Sequence, residues 1–224
     1  MIKINKILKK PNWYNLRKMK PISCVFGFDR GQPIDRYFIE SFLDENSNCI
    51  QGRVLEIADN EYTLKFGKNN VTKSDVLHAV EGNPKATIVG DLVTGEGLPE
   101  NAFDCFILTQ TLQFIFDIDS AVKNVVKCLK PGGTVLITVA GISQISRYDM
   151  DRWGDFWRFT DKSLRMIFEK YVPTENITVR TYGNILTSIA FLHGLAVDEL
   201  TQEEVNYIDR DYQMVITAVI RKSL

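Results

Sequence analysis

Between Gly52 and Ala140 the chain passes through short apolar runs that each stop at an acidic or small polar residue, and this pattern restricts its fold more than any other feature. The runs are GRVLEIAD from Gly52, VTKSD from Val71, ATIVGDL from Ala86 and FDCFILTQ from Phe103, followed by LKPGGTVLITVA. Segments this short and this rich in Val, Ile and Leu suit strands buried on both faces, as in a parallel sheet covered by helices. Such sheets bind ligands beyond the carboxyl ends of their strands, where the strand order reverses. Those ends offer Glu56, Asp59, Asp75, Asp91 and Thr109, a ledge of hydrogen-bond acceptors.

The flanking segments complete an α/β reading. Pro33 suits a helix start, and Ile34, Tyr37, Phe38, Ile39, Phe42 and Leu43 place a broad apolar stripe on a helix over 34–43. A short helix is expected after Tyr62, ended by Gly67 and the Asn69-Asn70 pair. After Asp119 or Ser120, the residues Ala121, Val122, Val125, Val126 and Leu129 recur at helical spacing, and Pro131-Gly132-Gly133 is expected to stop that helix before a fifth strand. Thr160 is placed to cap a helix reaching about Tyr171. Residues 177–182 and 213–221 read as the last two strands, with 185–195 helical between them and a capping-box pattern at Thr201 and Glu204. Without a long helical crossover directly against the sheet, the last strand can run antiparallel.

With 224 residues, 45% of them hydrophobic, the chain suits one domain with a substantial core. Cys24, Cys49, Cys105 and Cys128 are scattered without metal-ligand spacing, which predicts reduced thiols, a cytoplasmic setting and no metal site. No apolar stretch reaches the roughly 18 residues of a membrane span, and no secretory leader is evident, so a soluble protein is expected. Charge is uneven: seven of the 27 basic residues (Lys3, Lys6, Lys9, Lys10, Arg17, Lys18 and Lys20) lie in the first 20 positions with no acid among them. The remainder carries 20 basic against 28 acidic side chains, a balance of −8. The organisation is therefore a basic arm and turn over 1–33 followed by a domain over 34–224. Ile2, Ile4, Ile7, Leu8, Trp13 and Tyr14 interleave with the lysines, so the arm reads either as a solvated tail or as a weak peripheral foot on an anionic membrane. The acidic body argues against nucleic acid as a partner.

The strand-end residues resemble those of the class I S-adenosylmethionine-dependent methyltransferases, over about residues 34–224. Asp75 sits where that family carries the carboxylate that holds the ribose hydroxyls, Asp91-Leu92 where it borders the adenine, and Lys130-Pro131-Gly132-Gly133 matches its turn before the fifth strand. The resemblance implies a Rossmann-like, seven-stranded, mostly parallel sheet with helices on both faces and an antiparallel last strand. It also implies S-adenosylmethionine as cofactor. By the same resemblance Glu56 orients the loop or accepts from the cofactor's amino group, Ala58, Asp59 and Asn60 line the methionine end, and Thr109-Gln110 close the pocket beneath the sulfonium. For each acid the alternative is a solvated strand end or a helix-cap partner. The chain departs from the family where E-x-G-x-G-x-G is usual, reading Glu56-Ile57-Ala58-Asp59-Asn60-Glu61-Tyr62 with every glycine of this motif missing. Glycine there allows positive φ and close backbone approach, so Tyr62 is either a lid over the cofactor or a plug in its place.

A second tract, residues 141–160, follows the fifth strand and mixes aromatics, arginines and aspartates, a surface able to stack on a ring and to pair with anions. Tyr148, Arg152, Trp153 and Asp155 are its candidate substrate contacts, whereas Trp157, Arg158 and Phe159 read equally as structure. Methyl transfer needs alignment more than a strong base, and Asp149, Asp151, Asp155 and His193 are unranked candidates should one be used. His78 is a candidate flank for the adenine. Arg30, Asp35, Arg36 and Tyr37 either reach the site or form surface ion pairs. The strings DFWRFT and FGFDRGQPIDRYFIESFL resemble a methyltransferase type 11-like group that accompanies glycosyltransferases in cell-surface glycan pathways. That resemblance implies O-methylation of a sugar, glycan-linked or other small polar acceptor, with a glycosyltransferase as partner. The alternative is a catalytically inactive scaffold of the same fold in glycan assembly.

Overall fold

The structure, a computed structural model, describes residues 17–224, so most of the basic arm, with its interleaved Ile, Leu, Trp and Tyr residues, lies outside the described residues. The strands are β1 (Gly52–Ile57), β2 (Val71–His78), β3 (Ile88–Val89), β4 (Phe103–Thr109), β5 (Leu129–Ala140), β6 (Ile177–Tyr182) and β7 (Val215–Arg221). They form one sheet in the order β3-β2-β1-β4-β5-β7-β6. The first five pair in parallel, and β7 runs antiparallel between β5 and β6. The chain thus builds outward from β1 to β3, then returns to add β4 on the other side of β1. This reversal creates a switch point between β1 and β4.

Among the described residues six α-helices accompany the sheet: α1 (Ile34–Glu45), α2 (Ile118–Cys128), α3 (Arg147–Met150), α4 (Asp161–Phe168), α5 (Ile185–Leu192) and α6 (Gln202–Asn206). Successive strand residues face opposite sides, and here both sides are core. Leu55, Phe106 and Leu108 pack with Val122 and Val125 of α2 and with Leu164 and Phe168 of α4. Val54, Cys105 and Ile107 pack with Phe38, Phe42 and Leu43 of α1 and with Phe191 of α5. This double burial explains why the runs show no polar alternation; each large side chain so buried contributes about 1.5–3 kcal/mol.

The starts of α4 and α6 follow their sequence signals, whereas α2 begins at Ile118, ahead of the expected Asp119 or Ser120. Asp117 caps α2 by accepting from Ser120 N–H (3.1 Å), Thr160 and Ser163 cap α4 reciprocally, and the Thr201–Glu204 pair closes a capping box on α6. Other boundaries also differ from expectation: α1 runs on to Glu45, α4 ends at Phe168, α5 at Leu192, and β7 begins at Val215. The Pro131-Gly132-Gly133 turn also acts differently. Phe103 pairs with Leu129 and Cys105 with Thr134, so residues 130–133 bulge out of an existing strand pairing and do not separate helix from strand. A Cβ at Gly133 would meet Phe103 O at 2.9 Å, which is the reason for glycine there. Residues 22–33, grouped by sequence with the arm, fold onto the domain. Ile22 and Ser23 N–H donate to His193 O, and the Phe26 ring packs on Phe191. Among the described residues no helix is long and apolar enough to cross a membrane.

Asp75 requires a correction. Its strand continues through Val76, Leu77 and His78, so the carboxylate lies inside β2 beside Leu55 and not at the strand end. It is 1% exposed, accepts from Arg53 Nε at 2.6 Å and Thr87 Oγ1 at 3.0 Å, and faces Lys73 Nζ at 3.3 Å. Burial alone would raise its pKa, but the bonds from Arg53, Thr87 and Lys73 outweigh that and hold it below the usual carboxylate range. The Arg53 guanidinium in turn lies 4.8 Å from the centre of the Phe103 ring. Asp75 therefore ties β1, β2 and the segment before β3 together. Replacing Asp75 with Ala strands Arg53 and should cost about 3–5 kcal/mol in urea denaturation, with the cleft described below unaltered in ligand affinity.

Candidate functional site

A cleft of about 860 Å³ opens at the carboxyl ends of β1, β2, β4 and β5, above the switch point. That size suits a small-molecule site, typically roughly 300–1,000 Å³. Ile57, Ala58, Leu77, His78, Asp91, Leu92, Thr109, Gln110 and Ala140 line its sheet side; Phe28, Asp35, Arg36 and Tyr62 close one end and residues from 143–158 the other.

Ala58 turns the chain off β1 with φ +68°, the left-handed conformation a glycine would adopt freely. Its N–H donates to Leu77 O at 2.9 Å and its carbonyl accepts from Asn83 Nδ2 at 2.7 Å, so the conformation is enforced from both sides. For an L-residue this costs roughly 1–2 kcal/mol. The next turn is gripped by Glu56, 3% exposed, whose carboxylate accepts from Tyr62 N–H (3.2 Å), Thr63 N–H (2.7 Å) and Thr63 Oγ1 (2.7 Å). Burial raises the Glu56 pKa to about 7, against the lowering effect of those three donors. Glu56 thus caps the turn and does not line the cleft, and Asp59 and Asn60 are also drawn away. Asp59 accepts from Glu61 N–H, and Asn60 Nδ2 donates to Ser74 Oγ at 3.0 Å. Of the loop residues expected at the cofactor, Ala58 and Tyr62 line the cleft. The Tyr62 ring sits 6.0 Å from Phe66 and 5.9 Å from the Arg36 guanidinium, at the cleft's edge, which leaves the space between Ala58 and Asp91 open.

Asp91 and Leu92 follow β3 and line the cleft: Asp91 Oδ1 accepts from Val93 N–H at 2.6 Å in a tight turn, and Leu92 presents an apolar wall. Beyond β4, Gln110 also adopts positive φ (+46°). Its Oε1 accepts from Gln113 Nε2 at 2.8 Å, and Gln113, 4% exposed, leaves Oε1 without a partner among the described residues. A buried acceptor left open on a cleft is costly, and it fits a ligand that brings an N–H or O–H.

The 143–158 segment is built mainly from its own polar pairs. Arg158 grips Asp155 with its two terminal guanidinium nitrogens (2.5 and 3.0 Å) and donates to Gln144 O, while Asp155 also accepts from Ser146 N–H. Ser146 Oγ donates to Asp149 at 2.5 Å at the start of α3. Asp149 and Asp155 line the cleft; both Asp155 oxygens are committed to the segment's shape, whereas Asp149 gives Oδ2 to Ser146 and keeps Oδ1 without a partner among the described residues. Trp153 lines it too, edge-on to the His78 ring at 6.1 Å across the mouth. Two substrate expectations are corrected: Arg152 stacks at 3.5 Å on Tyr148, and neither lines the cleft. His193 is corrected as well, for it ends α5 and its carbonyl holds Ile22 and Ser23. Trp157 stacks on Phe116, Phe159 is core, Arg30 pairs with Glu199, and Tyr37 points to Gln202 and Asn206. Sequence reasoning missed Phe28, Gln113, Phe116 and Phe156. Each sits in a stretch of mixed apolar and polar residues that carries no signal of which face meets the cleft.

Comparison with known proteins agrees with this geometry. Residues 42–137 match a family described as a methyltransferase domain. The ubiquinone/menaquinone biosynthesis C-methyltransferase of Edwardsiella ictaluri is 25% identical over 168 residues, covering 64% of this chain and 63% of that protein, so the chain spans less than two thirds of that relative. A methyltransferase of Archaeoglobus fulgidus, described as SAM dependent, superposes with a TM-score of 0.55 at 13% identity, covering 84% of this chain and 94% of that one. The N-methyltransferase NodS of Bradyrhizobium japonicum, solved with S-adenosyl-L-homocysteine, gives 0.51 at 17% identity, covering 86% and 89%. The chain has the fold of the S-adenosylmethionine-dependent methyltransferases.

Two outcomes test the turn after β1. Ala58→Gly should raise stability by up to about 1 kcal/mol in urea denaturation, since relief of strain exceeds the added unfolded-state entropy; a loss would show the turn is unstrained. The folded state also holds the Glu56 proton to higher pH than the unfolded state, so wild-type stability should fall relative to Glu56→Gln as pH rises from 4.5 to about 7, by roughly 3 kcal/mol at most. Parallel pH profiles for the two proteins would contradict it.

Proposed function

We propose that this chain is an S-adenosylmethionine-dependent methyltransferase whose acceptor is a ring-bearing small molecule that enters past the 143–158 segment. The open cleft at the switch point carries this reading, with Ala58 in the left-handed turn where the family that the sequence resembles uses glycine. The cofactor, when bound, brings an activated methyl group on a good leaving group. The chain's own part is to bind, align and keep water out. Asp91, Leu92 and His78 form the sector suited to a nucleoside, and Gln113 Oε1, at the end of the Gln110–Gln113 pair, is placed to accept from an incoming N–H or O–H.

The mouth is aromatic. Phe116 lies edge-on to Phe156 at 5.4 Å, and Trp153 lines the same cleft against His78, a surface that favours a flat or C–H-rich ring. A sugar hydroxyl remains the first reading for the methylated atom, on the DFWRFT resemblance. That support is narrower than the sequence alone implied, because Asp155 and Arg158 serve the loop. A ring carbon is the second reading, favoured by the C-methyltransferase name of the relative and by the apolar mouth.

Titration with S-adenosylhomocysteine should raise the unfolding midpoint, reaching about 2.7 kcal/mol of added stability at a hundredfold excess over Kd. No shift at millimolar ligand would remove the enzyme reading and leave only the fold. Transfer of labelled methyl to a sugar-phosphate panel or to a catechol and quinol panel then separates the two acceptor readings.

A further inference from the structure

In the first turn of α1, Asp35 and Arg36 both line the cleft at the end shared with Ala58 and Tyr62. Neither is explained by the architecture. Asp35 Oδ1 accepts only the adjacent Arg36 N–H at 2.8 Å, and its other oxygen has no hydrogen-bond partner among the described residues. The Arg36 guanidinium makes no ion pair or side-chain hydrogen bond among the described residues. It is held by rings, 5.1 Å from the centre of Phe28 and 5.9 Å from that of Tyr62. Elsewhere in the chain the arginines and acids that approach one another close into pairs, as at Arg30–Glu199, Arg53–Asp75 and Arg158–Asp155. Here two opposite charges sit side by side without joining, and both face the cavity.

We propose that Asp35 and Arg36 form a clamp for the amino-acid end of the cofactor, the carboxylate receiving the α-ammonium and the guanidinium receiving the α-carboxylate. This rests on the methyltransferase reading and assigns the part of the site it left open. A zwitterion complements this pair group for group, and guanidinium matches carboxylate in a fork that Lys cannot reproduce. The electrostatics agree: burial raises the Asp35 pKa to about 6, and the neighbouring Arg36 charge and N–H offset that only in part. The loop supplies the motive. With Asp59 and Asn60 turned away and no glycine to bring backbone close, contacts to the methionine portion must come from another element. The start of α1 is the element at that end of the cleft.

The test compares two probes in calorimetric titration of the full chain: S-adenosylhomocysteine, and 5′-methylthioadenosine, which keeps the thioether nucleoside but lacks the amino-acid end. Asp35→Asn and Arg36→Gln should each weaken S-adenosylhomocysteine by about tenfold or more while leaving 5′-methylthioadenosine within about twofold of wild type, and Arg36→Lys should recover only part of the loss. Unchanged S-adenosylhomocysteine affinity, or equal weakening of both probes, overturns the clamp and leaves the methyltransferase reading standing. Wild-type protein that binds neither probe overturns both.

Discussion

The carboxylate of Glu56 is buried under the first crossover with three donors on it, and the course of the chain from Ala58 to Thr63 beside the cleft follows from where it holds Tyr62 and Thr63. After β1 the backbone must leave the sheet without blocking the space above it. Ala58 makes the departure by accepting a left-handed conformation, and Glu56 fixes the return by capping Tyr62 and Thr63. Together they direct the Tyr62 ring towards Phe66 and Arg36, and the space over Ala58 stays open. A buried, partly protonated carboxylate is an expensive anchor. Its three hydrogen bonds offset that cost only while the turn keeps its shape, which couples the anchor to the cavity.

The acids of this chain divide by what their oxygens already hold. Asp75 joins strands through Arg53 and Thr87, Asp104 accepts from Arg53 N–H and Lys130, and Asp155 is locked by Arg158 and Ser146. Those carboxylates stabilise the frame and have little left for a ligand. Asp35 and Asp91, which line the cleft, each accept one backbone N–H from their own turn and have a second oxygen without a partner among the described residues, as does Asp149 beyond its bond from Ser146. Remaining hydrogen-bond capacity separates site from scaffold here better than exposure does, since Asp155 also lines the cavity.

The legibility of the sequence follows the range of the forces that leave a signature in it. Strands buried on both faces and helices with Thr160 or Thr201 caps are set by neighbours a few residues away, and these elements lie close to where the patterns put them. Asp75 was misplaced because an acid after a short apolar run looks like a strand end. Only the continuation through Val76 and Leu77, paired with β1 and β3, shows that it is interior. The 143–158 segment misled for a different reason: which arginine pairs with which aspartate depends on loop geometry that spacing does not encode. Asp35 and Arg36 were visible as candidates, but whether they face a cavity or solvent depends on how α1 packs against the sheet.

The boundaries of the recognised domain bear on the same point. The match to the methyltransferase family covers residues 42–137, which includes the Ala58 turn, Asp91-Leu92 and the strand end at Thr109. The first turn of α1 and the 143–158 segment lie outside it, yet both line the cleft. A shared core of this kind constrains the architecture, while the chemistry is set by what surrounds the site. In this chain the common part holds the sector suited to a nucleoside, and the two outlying segments meet whatever lies at either end of it. The missing glycines fit that division: Ala58 makes the turn at the centre, and charged side chains from α1 line the cleft beside it.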